Sequence, residues 1–374
     1  MSDNPFGNMF ADIFNMLGQQ SPNAWFDTAT QLALNIARGA DGDPNPEPVE
    51  RQRLEELTPL VARHVDALFA VSSDTAVTAV NRSALTLAAL AQWRPLIEPN
   101  LHAVPVIAPS DDVDTAAPMM AQLAAAVGPL FAGFQTGSVA GHFSERAWSL
   151  AVLALPRLNG DRLIVVNNLR AFADEWSLER DEVYVFALAQ EFVASLVLSR
   201  EGTGDALRAL LLDSTQEAAA IQGDLMGRLQ SLMGDGDING LMADPERLLE
   251  GIELPEETDA TRAINAATSV LLAFFEAAAH EITTAMLGPR PQLVEAYRRH
   301  RRSDARGEDA AAALFGIATH GAHHEAAHAF VEHLRDVHGL RVLGALLRVD
   351  GLPTFEELTD PEAWLARVND SPLA

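Results

Sequence analysis

Residues Asp181 to Ser199 place the tightest limit on what this chain can fold into. Val183, Val185, Phe186, Ala187, Leu188, Phe192, Val193, Leu196, Val197 and Leu198 make a helix here apolar nearly all round, and a helix without a polar face has to run through a domain interior. Gln190 and Glu191 nevertheless sit at its middle. A buried carboxylate is costly unless it is paired or placed in a cleft, so the two residues mark either a satisfied core network or a functional pocket.

The same periodicity extends along the chain. Apolar positions three and four apart recur through residues 50–70, 77–92, 119–150, 205–232, 261–287, 292–302 and 323–348, which predicts a mostly α fold. Only Leu163 to Val166 reads as a strand, fed by the turn Asn159-Gly160-Asp161. Asp244-Pro245-Glu246, Thr354-Phe355-Glu356-Glu357 and Thr359-Asp360-Pro361-Glu362 each set a capping residue or an early proline before a helical run. No internal repeat is visible. The expected layout is a tail over residues 1–22 and one large helical domain over 23–374. Within the tail Met9, Phe10, Ile13, Phe14 and Leu17 lie at helical spacing, which suits either docking onto the body or a partner, or a mobile end. Residues 40–48 are a proline- and glycine-rich loop.

Composition removes whole classes of chemistry. The chain has no cysteine, which excludes disulfides, thiolate metal sites and cysteine nucleophiles. It has no lysine either, so a P-loop lysine, a pyridoxal Schiff base and a serine–lysine dyad are absent. A formal net charge of −26 repels phosphate backbones and anionic lipid, so a protein or peptide partner that is neutral or cationic is expected, and neither nucleic acid nor a membrane surface. The uncharged run from Thr115 to Ser144 is long enough to span a bilayer, yet Pro118, Gly128-Pro129, Gln122, Gln135 and His142 divide it, and two buried helices are expected instead. No basic residue precedes Arg38, unlike a secretory or mitochondrial signal, and the expected location is cytoplasmic.

Three motifs carry candidate chemistry. His324-Glu325-Ala326-Ala327-His328 has the spacing of a zinc-peptidase helix, with two imidazoles on one face as Zn²⁺ ligands and Glu325 as general base. His320, His323, His333 and His338 lie around it, so a local excess of histidine accounts for the match equally simply. A helix over 323–337 would place His324 and His328 at the edge of its apolar stripe, a mostly wet position beside Glu332 and Arg335. A downstream third histidine is missing, since Val331 and Leu334 stand where the extended pattern needs glycine and histidine. Glu276, His280, Glu356 or Glu357 could complete the set only if folding brings one close. Asp235, Asp237, Asn239 and Glu246 match a calcium loop at positions one, three, five and twelve, although a polar loop ahead of an Asp-Pro helix cap explains the same residues. Arg298-Arg299-His300-Arg301-Arg302 with Arg306 could hold an anion, or close a helix and pair with acidic neighbours.

Beyond the tail, several segments in order resemble the zincin-like hydrolases, proteins often called zinc-dependent metalloproteases. They are Asn23-Ala24-Trp25-Phe26-Asp27, Trp93 to Pro99, Leu163 to Trp176 leading into the 181–199 helix, Leu271 to Glu276, the arginine run, and Leu352-Pro353-Thr354 through Trp364-Leu365-Ala366-Arg367. The resemblance implies a zincin-like helical domain with the metal motif on the central apolar helix. Its five positions fall here on Gln190-Glu191-Phe192-Val193-Ala194, and a distal glutamate ligand falls on Glu276. Glu191 matches the general base, but glutamine and alanine cannot replace two imidazoles around Zn²⁺. The leading expectation is therefore a non-catalytic zincin-fold protein without a cofactor, whose cleft, lined by Gln190, Glu191, Ala194 and Glu276, binds a partner or ligand. The rival is a zinc hydrolase relocated to His324, Glu325 and His328. A weaker third is a Ca²⁺-binding module at 235–246.

Overall fold

The computed structural model describes residues 23–39, 42–101, 132–199, 203–217, 257–302, 306–318, 321–348 and 350–370. The tail and the candidate calcium loop, with Asp235, Asp237, Asn239 and Glu246, lie outside the described residues. So do the capping run at Asp244 and most of the uncharged run.

The described chain is mostly α, as the periodicity predicts. It opens with α1 (Ala24–Arg38) and α2 (Pro48–Phe69), then a short strand β1 (Thr78–Val80) and α3 (Arg82–Leu101). A helix over residues 132–146, α4, leads through a short 3₁₀ turn, Leu150–Val152, to strand β2 (Leu163–Val165) and α5 (Val166–Trp176). Then come α6 (Arg180–Leu198), α7 over residues 203–217, α8 (Asp259–Leu287), α9 (Pro291–Arg302), α10 (Arg306–Leu314), α11 (Ala322–His338), two 3₁₀ segments (Leu340–Leu347 and Glu356–Thr359) and α12 (Pro361–Asp370).

The apolar helix is where its sequence requires it to be. Every residue of α6 from Val183 to Ser195 is buried, and it packs along α8 on one side and α2 on another. The outer flank of α8 is covered by α11. By length and composition α8 could cross a membrane, but its side chains from Ile264 to Ala279 are enclosed between these helices, the environment of a core helix.

Two elements depart from the periodicity. A helix was expected to begin at residue 77, but Thr78–Val80 pairs in parallel with Leu163–Val165, residue for residue. Asn81 then caps α3, its side chain accepting from Ala84 N at 3.0 Å. Asp43 of the 40–48 loop accepts from Arg82 N and Ser83 N at 3.0 and 2.7 Å. With the first amides satisfied there, the helix has a fixed start. The helix expected over 323–348 stops at Gly339, whose φ of 81° is open to glycine and strained for other residues, and the chain continues as a 3₁₀ segment. Near the C-terminus Thr354 and Glu357 form a reciprocal capping box at 2.9 and 3.4 Å.

One contact is made backbone to backbone. Gly133, Gly137 and Gly141 of α4 recur every four residues and lie against Trp25, Ala29, Ala33 and Ile36 of α1. A Cβ at Gly137 would stand 2.5 Å from the Ala29 carbonyl oxygen. Gly137→Leu is expected to destabilise the protein by about 1–3 kcal/mol through overpacking, read from denaturant midpoints against Ser138→Ala on the same helix.

His300 of α9 is packed against Trp148 at 5.9 Å and Phe172 at 5.0 Å between ring centroids, and its Nδ1 accepts from Arg146 at 2.6 Å. Burial, aided by the charges of Arg146 and Arg301, pulls its pKa from the usual 6.5 down to about 4. The unfolded chain therefore binds the extra proton first. Stability is complete above pH 6.5 and falls as pH drops towards 4, by up to about 3 kcal/mol from this group. Unfolding curves across that range should be steeper with pH for the native chain than for His300→Phe; equal slopes would contradict this burial effect.

Candidate functional site

The middle of α6 presents Gln190, Glu191 and Ala194, all buried, with the Glu191 side chain at 0% exposure. The sequence leaves Glu191 either paired in the core or lining a cleft, with the cleft as the leading expectation; it is paired. The partner is Arg157, 3% exposed in its side chain. It reaches across with both terminal nitrogens, Nη1 to Oε1 at 2.7 Å and Nη2 to Oε2 at 3.0 Å. The Arg157 amide also donates to the Leu198 carbonyl at 3.0 Å, which anchors the arginine beside the end of α6. A lone arginine in the apolar run from Ala147 to Leu158 was the available signal, because a guanidinium is rarely buried without an anion.

Arg162 adds a second buried cation one turn away. It donates to Ser195 Oγ at 2.6 Å and to the Asp74 carbonyl at 2.8 Å, with its guanidinium 4.6 Å over the Phe192 ring. On the opposite flank Gln190 Nε2 donates to the Tyr297 hydroxyl of α9 at 2.5 Å. Gln190 and Glu191 are thus spent on internal partners and do not line an opening. A pocket lined by Gln92, Trp93, Phe143 and Leu155 includes Arg157 in its wall, but neither Gln190 nor Glu191.

These residues do not fit zinc. Ala194 has no donor atom, Gln190 offers an amide already bound to Tyr297, and both oxygens of Glu191 are engaged by a guanidinium, so it cannot take a proton from a metal-bound water. Glu276, the fourth residue of the expected cleft, turns elsewhere. It lies on α8, where its Oε1 accepts from Arg298 Nε at 2.6 Å, and Arg298 also reaches Glu332 at 3.5 Å.

The other side of Glu276 faces α11. His328 Nε2 stands 4.0 Å from Glu276 Oε2, and His324 Nε2 stands 3.1 Å from His328 Nε2. Of the four candidate third ligands, Glu276 is brought to His328 and His280 lies half-buried one turn further along α8, whereas Glu357 is held by Arg367 at 2.6 and 2.8 Å and Glu356 is exposed. The two histidines are therefore less wet than the helical projection suggests, His328 being 24% exposed in its side chain. Burial lowers the His328 pKa against the opposing pull of Glu276. Glu325 is exposed. Among the described residues, no three acidic or imidazole side chains are already gathered as a metal-ready group.

Several of the neighbouring described histidines and arginines have structural partners, and His320 lies outside the described residues. His333 and His338 both contact Glu362, at 3.1 and 2.9 Å, and His323 contacts Glu257 at 2.8 Å. In the arginine run, Arg299 pairs with Glu295 at 2.6 Å and Arg301 donates to the Val152 carbonyl at 2.9 Å. With Arg298 on Glu276, this is the pairing reading of that run.

Comparison with known proteins follows the same architecture. A solved structure from Chloroflexus aurantiacus, provisionally described as a hydrolase with a novel fold, superposes with a TM-score of 0.63 over 92% of this chain and 98% of its own. At 14% identity the likeness is one of fold. No curated protein matches the sequence. The profile of the zincin-like metallopeptidases spans residues 25–365, and the chain belongs to that family.

Proposed function

We propose that this is a non-catalytic member of the zincin-like metallopeptidases, which acts by binding a protein or peptide partner and does not hydrolyse amides at the family position. The observation that carries the reading is the bidentate Arg157–Glu191 pair. A general base needs a lone pair directed at water and a pKa open to tuning. Here the corresponding carboxylate is sealed in the core and neutralised by an arginine, and the two metal-binding positions beside it carry glutamine and alanine. A net charge of −26 favours neutral or cationic segments as partners. Under this reading neither nucleic acid nor a membrane is a partner, and the protein works in the cytoplasm.

The reading turns Glu191 into a stability residue. Arg157→Leu alone should cost about 3–5 kcal/mol, because it strands a buried carboxylate, while Arg157→Leu with Glu191→Leu should recover most of that loss. Chemical denaturation of the two single variants and the double variant measures the coupling. Zinc-supplemented protein should show no peptide hydrolysis above the buffer rate. Hydrolysis that disappears in Glu191→Gln while stability is unchanged would overturn the proposal.

A further inference from the structure

The histidine pair on α11 has a geometry that a solvated histidine-rich helix does not require. An ion bound tetrahedrally at about 2.0–2.1 Å by two imidazole nitrogens holds them about 3.3 Å apart. His324 Nε2 and His328 Nε2 are 3.1 Å apart, with ring centroids at 4.5 Å. In the metal-free chain one ring donates its N–H to the other, and a divalent ion would take the place of that shared proton. The third donor comes from the neighbouring helix. Glu276 Oε2 is 4.0 Å from His328 Nε2, about 0.7 Å beyond the edge of such a tetrahedron. Arg298 holds the other oxygen at 2.6 Å, which leaves Oε2 turned towards His328 on α11. Ligating carboxylates are commonly oriented by such a second hydrogen bond.

We propose that His324, His328 and Glu276 form a binding site for Zn²⁺ or a neighbouring late first-row divalent ion, closed by a small inward movement of Glu276. Two imidazoles and one carboxylate are the donor set for such ions, and magnesium and calcium prefer all-oxygen shells. The site lies where Glu276 of α8 meets α11 and uses neither Gln190 nor Ala194. It ties α11 to α8 through an ion and does not depend on the fate of Glu191. It goes beyond the proposed function and stands or falls separately from it.

The test uses the untagged full chain, stripped with a chelator and titrated with ZnCl₂ by calorimetry, with CoCl₂ as a spectroscopic probe of coordination. The expected result is one ion per chain and a melting temperature raised by about 3 °C or more under saturating zinc. Cobalt should give the visible bands of a four-coordinate nitrogen–oxygen site. His324→Ala and His328→Ala should each weaken binding by about 100-fold or more, and Glu276→Gln by about 10-fold or more. His333→Ala and His338→Ala should leave it unchanged. His324 and His328 are partly exposed and Glu276 is buried, and circular dichroism of each metal-free variant establishes that it is folded. Absence of stoichiometric binding, binding that survives His324→Ala, or binding lost only in the His333 and His338 variants overturns the inference. Assaying peptide hydrolysis on the zinc-loaded protein separates the two proposals. Zinc without hydrolysis supports both. Zinc with hydrolysis that Glu325→Gln abolishes supports the metal site and overturns the non-catalytic reading.

Discussion

The structure is organised around the problem of running a charged residue through the centre of an apolar helix. α6 is enclosed from Val183 to Ser195, so Glu191 has no route to water, and an unpaired carboxylate there would cost several kcal/mol. Arg157 meets the demand with a planar fork matched to both carboxylate oxygens. Arg162, Ser195 and Phe192 form a neighbouring group along the same helix. Because the chain contains no lysine, every such task falls to a guanidinium, which is more weakly hydrated than an ammonium and better suited to the interior. The segment from β2 back to Arg157 is held by this pairing as well as by apolar packing.

Most of the fold was legible in the sequence, because the signals were local. The helical runs, the central helix, the strand at Leu163 and the capping box at Thr354 are written in spacing and in the identity of single residues. The departures came where a distant segment decided the outcome. Thr78–Val80 takes a strand conformation because β2 lies beside it, and nothing within residues 77–92 announces a partner some eighty residues on. Gly339 ends α11, but the apolar spacing continues on either side of it, so periodicity alone does not mark the stop.

The site was less legible for a related reason. The chain order shows that Gln190 and Ala194 lack imidazoles, and it shows the histidine pair four residues apart. It does not show that α11 lies on the outer flank of α8, which brings His328 to Glu276. Nor does it show that Glu276 is shared between Arg298 and that face. A helical projection of α11 alone puts both histidines at a wet boundary, whereas the neighbour of His328 is a carboxylate about fifty residues earlier in the chain. Pairings between elements of this kind are a property of topology, and periodicity within one element carries no information about them.

The last helix has a consequence for how the molecule comes into being. Trp364 of α12 is fully buried, stacked edge-on against Phe330 of α11 at 5.3 Å, and its indole N–H donates to the Gly351 carbonyl at 2.9 Å. Arg367 beside it gathers the Asp350 and Leu352 carbonyls and Glu357. On the ribosome, α11 can lie down on α8 before this latch exists, but its outer face stays bare until residues 361–370 have cleared the exit tunnel. A chain in which α12 has not yet docked therefore carries an open apolar strip around Phe330, and α12 helps to shield it from chaperones and neighbouring chains.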